Sequence, residues 1–355
     1  MPPPDLDARA TYERLDPEDI YSRIVALPDQ MAQAWERGSA FALPDSHHDV
    51  DAIAIVGMGG SGIGGALIES LAVDLHTPVP VHMVRGYRLP AFMNDRTLVI
   101  ASSNSGDTEE TCAVLDAAIA VRAKCVALAT GGRLLEIARA HGVPALNFIW
   151  SGEQRSALGW SFAAPLAVCV GLGLIRPFGM TAAIAEMRET IGAIGRDVPE
   201  SANEAKQIAR RLAGRMPVFV GAEALAPVAY RWRTQVNENA KSWAIADELP
   251  EMNHNAHAGY GLPQESVARL HAVLLRHAAV HPRIALRFEA TATKMRETGV
   301  SAELVEIGGG DTVAQVLRAI ALGDFVSYYL GLLNGVHPSP VPALLELKSW
   351  LAARE

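Results

Sequence analysis

The chain has 355 residues, of which 50% are hydrophobic and 20% charged, with a formal net charge of −8. That length suits one large or two medium domains with buried cores, and the composition excludes a disordered or fibrous chain. The acidic balance, with no run of Lys and Arg, argues against a nucleic-acid partner. An anionic ligand would need a local cluster of donors rather than a global field.

Residues 1–50 read as polar helical turns. Their start has neither the basic stretch nor the apolar core of a secretory leader, so a cytoplasmic protein is expected. A strand is predicted over 51–56, then a glycine-rich turn and an apolar helix over 61–74. Strands at 79–84, 97–102, 124–130 and 143–149 alternate with helices ending near Arg122 and His141. Short apolar strands alternating with helices indicate a parallel, doubly wound α/β sheet.

Residues 151–215 read as nearly all helical, with breaks at Pro177 and Pro199. The apolar run 163–175 is too short to span a bilayer and contains Pro165, so no membrane partner is expected. A second α/β pattern follows: strands at 216–222, 242–249, 267–275 and 302–308, and helices at 225–241, 312–333 and 343–354. The expected division is an N-terminal helical segment 1–45, α/β domains at 46–200 and 201–338, and a C-terminal helix at 339–355. Cys112, Cys125 and Cys169 form no CxxC pair and read as small buried residues in a reducing compartment.

Two turns carry chemistry. GMGGSGIGG, from Gly57, joins a strand to a helix, so backbone N–H groups and the helix N-terminus can face an anion. It also fits the dinucleotide pattern GxGxxG at Gly57, Gly59 and Gly62. A nicotinamide-dependent oxidoreductase would place an acid after the next strand, where this chain has Arg85, a residue that suits only a 2′-phosphate. SSNSGDTEET, from Ser102, puts Ser103, Ser105 and Thr108 on one turn at another helix start. Capping needs one such residue; several hydroxyls suit a phosphate monoester. Both turns would face one crevice at the carboxyl edge of the sheet.

GGSG followed by SxSGxT resembles the sugar isomerase (SIS) superfamily. SGEQRSALGWSF from Ser151, VNENAKSWA from Val236, ELPEMNHNAHAGY from Glu248 and SPVPALLELK ending at Lys348 narrow the resemblance to the bifunctional phosphoglucose/phosphomannose isomerases. The resemblance implies two SIS domains and interconversion of glucose 6-phosphate or mannose 6-phosphate with fructose 6-phosphate, without metal or nucleotide cofactor. It implies a homodimer whose sites borrow a histidine from the partner. Gly60, Ser61, Ser103, Ser105 and Thr108 would hold the phosphate. Glu238 would be the base, His254 would assist ring opening, Arg155 would support the enediolate, and Lys348 would lie at the ring oxygen. Ser339 replaces the family's usual threonine, and a small hydroxyl there leaves room for either C2 epimer. Ala256 and His257 stand where the family tends to carry a glutamate after NHN.

Read from chemistry, aldose–ketose isomerisation needs a base at C1 and C2, a cation where charge develops, and an acid/base pair to open the ring. A glutamate, an arginine, a histidine and a lysine cover those needs. The three-residue spacing of His254 and His257 lacks a third metal ligand. The alternatives are a sugar-phosphate sensor, which would keep the hydroxyl turns without needing Glu238 and His254, and an NADP-dependent oxidoreductase.

Overall fold

The computed structural model describes residues 4–354; residues 1–3 and 355, the extremes of the two terminal segments, lie outside the described residues. Among the described residues, nine strands form two wholly parallel sheets. In the first, β1 (Ala52–Val56), β2 (Val81–Val84), β3 (Thr97–Ser103), β4 (Lys124–Ala129) and β5 (Ala145–Asn147) lie in the order β2-β1-β3-β4-β5. In the second, β6 (Met216–Ala222), β7 (Ile245–Leu249), β8 (Leu270–His277) and β9 (Ser301–Ile307) lie in the order β7-β6-β8-β9.

Both faces of the first sheet are covered, which is why its strands read as continuous apolar runs. Ile53, Ile55, Leu98 and Ile100 face the centre of the molecule, while Ala54, Val56, Val99 and Ala101 pack with Cys112 and Cys125 beneath the outer helices. In the second sheet, Phe219, Val273 and Leu275 join that same central cluster, and Val220, Ala272 and Leu274 face an outer one. The two halves therefore share one core. Helix Thr312–Leu333 runs through it, packed on Met180–Ile194, Glu204–Leu212 and Ala226–Asn239. This helix is long and apolar enough to cross a membrane, but 94% of its apolar window is buried inside the protein.

Several elements depart from the sequence reading. Residues 4–50 hold three helices, and one face of Leu27–Ser39 is buried against Ala164–Gly171. The strand expected at 267–275 is Leu270–His277, because Gln264–Val267 forms a helical turn that buries Val267. The strand expected from 242 starts at Ile245, since Lys241 takes a left-handed conformation after the helix. All three cysteines are free and buried.

Candidate active site

The two hydroxyl turns meet at the carboxyl ends of β1 and β3. The Ser61 hydroxyl accepts the Asn104 N–H at 3.2 Å and so ties one turn to the other. The Ser103 and Thr108 hydroxyls lie 2.8 Å apart, Gly106 N donates to Ser103 Oγ at 3.1 Å, and Asp107 N donates to Ser105 Oγ at 3.3 Å. Gly106 has φ +78, and a Cβ there would strike the Gly131 carbonyl. Thr108 is the N-cap of helix Glu109–Ala120, yet its side chain makes no capping bond. Asp107 is turned away to accept the Arg133 N–H at 2.9 Å. The hydroxyls are therefore not used up in capping, and the helix N–H groups stay open to an anion.

Arg155 links this cradle to the second half. Arg155 falls in the stretch 151–215 expected to be nearly all helical; it sits in the single 3₁₀ turn Gln154–Ser156, before a π-helical turn at Gly159–Ala163. The turn packs on helix Gly59–Leu71 so closely that a Cβ on Gly60 would lie 2.6 Å from Gln154 O. Arg155 is 7% exposed. Its Nη1 reaches Glu238 Oε2 at 3.3 Å, Nε donates to Asn239 Oδ1 at 2.6 Å, and Nη2 donates to the Pro338 and Ser339 carbonyls at 2.9 and 2.8 Å. Burial lowers the guanidinium pKa, and the charges of Glu238 and Glu153 oppose it. An arginine stays cationic under such pressure. Glu238, 30% exposed in its side chain, lies near the end of helix Ala226–Asn239 with that cation beside it.

The structure thus brings Gly60, Ser61, Ser103, Ser105 and Thr108 into one cradle and joins Arg155 to Glu238 beside it. Ser339 comes close as well: it is buried, and its hydroxyl is bonded to Glu18 at 2.7 Å and to Glu153. His254 and Lys348 do not join them. Helix Ala226–Asn239 runs antiparallel to β6 and β7, so Glu238 lies at the amino edge of the second sheet. His254 follows β7 and lies exposed at the carboxyl edge. A five-residue strand puts roughly 13 Å between those edges. Lys348 is exposed on helix Pro342–Ala352, as are Leu344, Leu345, Leu347 and Trp350. Ala256 packs against the outer cluster of the second sheet, and His257 lies edge-on to Tyr260.

Sequence reasoning left out the frame behind Arg155. Arg231 and Asp324 form a buried ion pair at 2.7 Å, and Arg231 also donates to the Arg155 carbonyl at 3.2 Å. Asn239 Nδ2 donates to Ser327 at 3.0 Å. The charge of Asp324 on the apolar central helix and the buried amides of Gln235 and Asn239 on helix Ala226–Asn239 were the available signals, because such groups are paired when buried.

The fold is that of known phosphosugar proteins. A hypothetical protein from Thermus thermophilus aligns over 93% of this chain and 89% of its own at TM-score 0.73 and 17% identity. A tagatose-6-phosphate ketose/aldose isomerase from Escherichia coli aligns over 89% and 93% at TM-score 0.70 and 16% identity. Residues 201–351 match the bacterial phospho-glucose isomerase C-terminal SIS domain, which places the second half of the chain in the class of SIS domains. A bifunctional phosphoglucose/phosphomannose isomerase from Caldicellulosiruptor bescii is 34% identical over 339 residues, covering 94% of this chain and 99% of its own. The chain belongs to the bifunctional phosphoglucose/phosphomannose isomerase family.

Proposed function

We propose that this chain interconverts glucose 6-phosphate and mannose 6-phosphate with fructose 6-phosphate through a cis-enediol(ate). The observation that carries this reading is a carboxylate, Glu238, held 3.3 Å from a buried guanidinium beside an uncapped hydroxyl cradle. With the phosphate in the Ser61/Ser103/Thr108 cradle, the opened sugar extends toward Glu238. Glu238 removes the proton from one carbon and returns it to its neighbour on the same face. Arg155 stabilises the charge that develops on the C1 and C2 oxygens. Acid/base chemistry of these side chains accounts for the proton transfers without a metal or nucleotide.

The site takes His254 from the partner of a homodimer. His254 is exposed at the sheet edge opposite its own chain's Glu238, and Lys348 is exposed on its own helix, so a second copy can reach both. A cytoplasmic location fits this metabolic role. A sensor would need the hydroxyl turns but no carboxylate against Arg155. A coupled assay in chelator, with wild type and Glu238→Gln, tests the reading. Turnover of both aldose phosphates by wild type, reduced by several decades in the variant, is expected. Wild type that binds hexose phosphate without turning it over would refute it.

A further inference from the structure

Lys241 has φ +51, in the left-handed region, two residues after helix Ala226–Asn239 ends. Glycine or asparagine takes that conformation easily, whereas a lysine holds it under strain. The strain points to a use for the side chain. Lys241 Nζ donates to the carbonyl of Glu238, one of the helix's open end groups, and to the carbonyl of Pro338 at 2.8 Å. The Pro338 carbonyl also accepts Arg155 Nη2 at 2.9 Å. Two cations from different elements thus share one oxygen. That oxygen lies on the segment between helix Thr312–Leu333 and helix Pro342–Ala352.

We propose that Lys241 is a positioning residue that latches the Pro338–Ser339 strap to the helix end carrying Glu238, so that the strap holds the Arg155 guanidinium in line with that carboxylate. This deepens the isomerase reading and rests on it. Without the latch, the Pro338 carbonyl is left to Arg155 Nη2 alone, and a moving strap pulls that end of the guanidinium against its bond to Asn239. A shift of about 1 Å at such a group costs on the order of a hundredfold in rate.

The groups facing the ammonium are Arg155 and Glu153 from the 151–156 turn and Glu238 from its own helix. Glu18 lies beyond, against Ser339 and His337. Lys241 is exposed as a residue, but partial desolvation of its ammonium foremost, then the charge of Arg155, lowers its pKa to about 8, with Glu238 and Glu153 opposing. A neutral amine still donates, but a charge-assisted bond is roughly twice as strong. The latch therefore weakens as the pH rises past that value.

Lys241→Gly, Lys241→Arg and wild type decide the matter. Their kcat and KM for fructose 6-phosphate are measured against pH, with thermal midpoints and hydrogen exchange over 336–341. Lys241→Gly relieves the backbone, so its midpoint is expected to hold or rise. Its kcat should fall about tenfold to a hundredfold with KM within about threefold. Exchange across 336–341 should quicken. Lys241→Arg should keep kcat within about threefold and move the basic limb of its pH profile upward. A glycine variant with wild-type kcat, an unmoved limb in the arginine variant, or unchanged exchange across 336–341 would each overturn the latch. If wild type turns over no hexose phosphate, the isomerase reading falls, and the exchange comparison still decides whether Lys241 holds the strap.

Discussion

The Nε of Arg155 donates to the amide oxygen of Asn239 at 2.6 Å, one residue beyond Glu238, and the same amide donates onward to Ser327 at 3.0 Å. Asn239 is 1% exposed, so it splints the guanidinium to the central helix. Asn239→Leu leaves a buried charged donor unpaired, which costs about 1–3 kcal/mol. It also frees the guanidinium to swing from Glu238. We expect kcat to drop about tenfold to a hundredfold while fructose 6-phosphate binding, which depends on the hydroxyl cradle, stays within a few-fold. Steady-state kinetics and calorimetric titration check this, and an unchanged kcat would contradict it.

The Arg231–Asp324 pair supports the same arginine from behind. Nε and Nη2 of Arg231 meet the two Asp324 oxygens at 3.0 and 2.7 Å, and Gln235 donates to Asp324 at 2.9 Å. Both charges are almost wholly buried. Removing one partner strands the other, so Asp324→Ala should cost about 3–5 kcal/mol in urea unfolding. The double replacement Arg231→Met, Asp324→Leu should recover most of that loss. Its kcat should remain low, because the bond from Arg231 to the Arg155 carbonyl is gone. Recovery of both stability and kcat would show that the pair has no part in placing Arg155.

Gly60→Ala tests how tightly the two halves of the site are joined. The added methyl would lie 2.6 Å from Gln154 O and 3.1 Å from Arg155 Cα, both backbone atoms. Neither can move aside without shifting the turn that carries Arg155. Gly60 O is also held by Ser161 Oγ at 3.0 Å, so the glycine cannot retreat easily. The expected result is a stability loss of about 1–3 kcal/mol and a fall in kcat of at least about tenfold. Thermal denaturation and the coupled assay read the two effects separately.

Much of this was legible in the sequence, and the remainder has a physical cause. The inner strands β1, β3, β4 and β8 showed as short apolar runs because both their faces are covered, and the two turns showed because glycines and hydroxyls cluster where the chain turns sharply from strand to helix. The Glu238 carboxylate was legible near a helix end. What it touches was not. Ser339 binds Glu18 from 321 residues away, and Arg231 binds Asp324 across 93. Such pairings depend on how helices stack, and no local pattern encodes them. The left-handed backbone of Lys241 was hidden for the opposite reason: lysine is a poor sign of that conformation.

The N-terminal segment has a pH-dependent anchor. Lys206, fully buried at its ammonium, donates to Asp7 Oδ1 at 2.9 Å and to the Arg196 and Val198 carbonyls at 2.7 and 2.8 Å. That bond holds the Asp7 pKa below its usual 3.8. A carboxyl with a lowered folded pKa stabilises the protein above its unfolded value and loses that stabilisation as pH falls through the folded one. Wild type should therefore exceed Asp7→Asn in unfolding free energy at neutral pH, and the gap should close only below about pH 4. Urea titrations at several pH values check the window; a gap that narrows between pH 5 and 7 would assign it to another group.

Glu238 and His254 stand at opposite edges of one sheet, so the proposed homodimer would complete each site with His254 of the other chain. This predicts complementation. Homodimers of Glu238→Gln and of His254→Ala should each be nearly inactive. Mixed, dissociated and reassembled at equal concentration, half the dimers are hybrids, and each hybrid holds one site with both residues intact. About a quarter of the wild-type activity should return. If His254 served its own chain's Glu238, every site in the mixture would carry one defect and no activity would return. The amount recovered on mixing therefore reads the path of the histidine directly, whatever the rate of the wild-type enzyme.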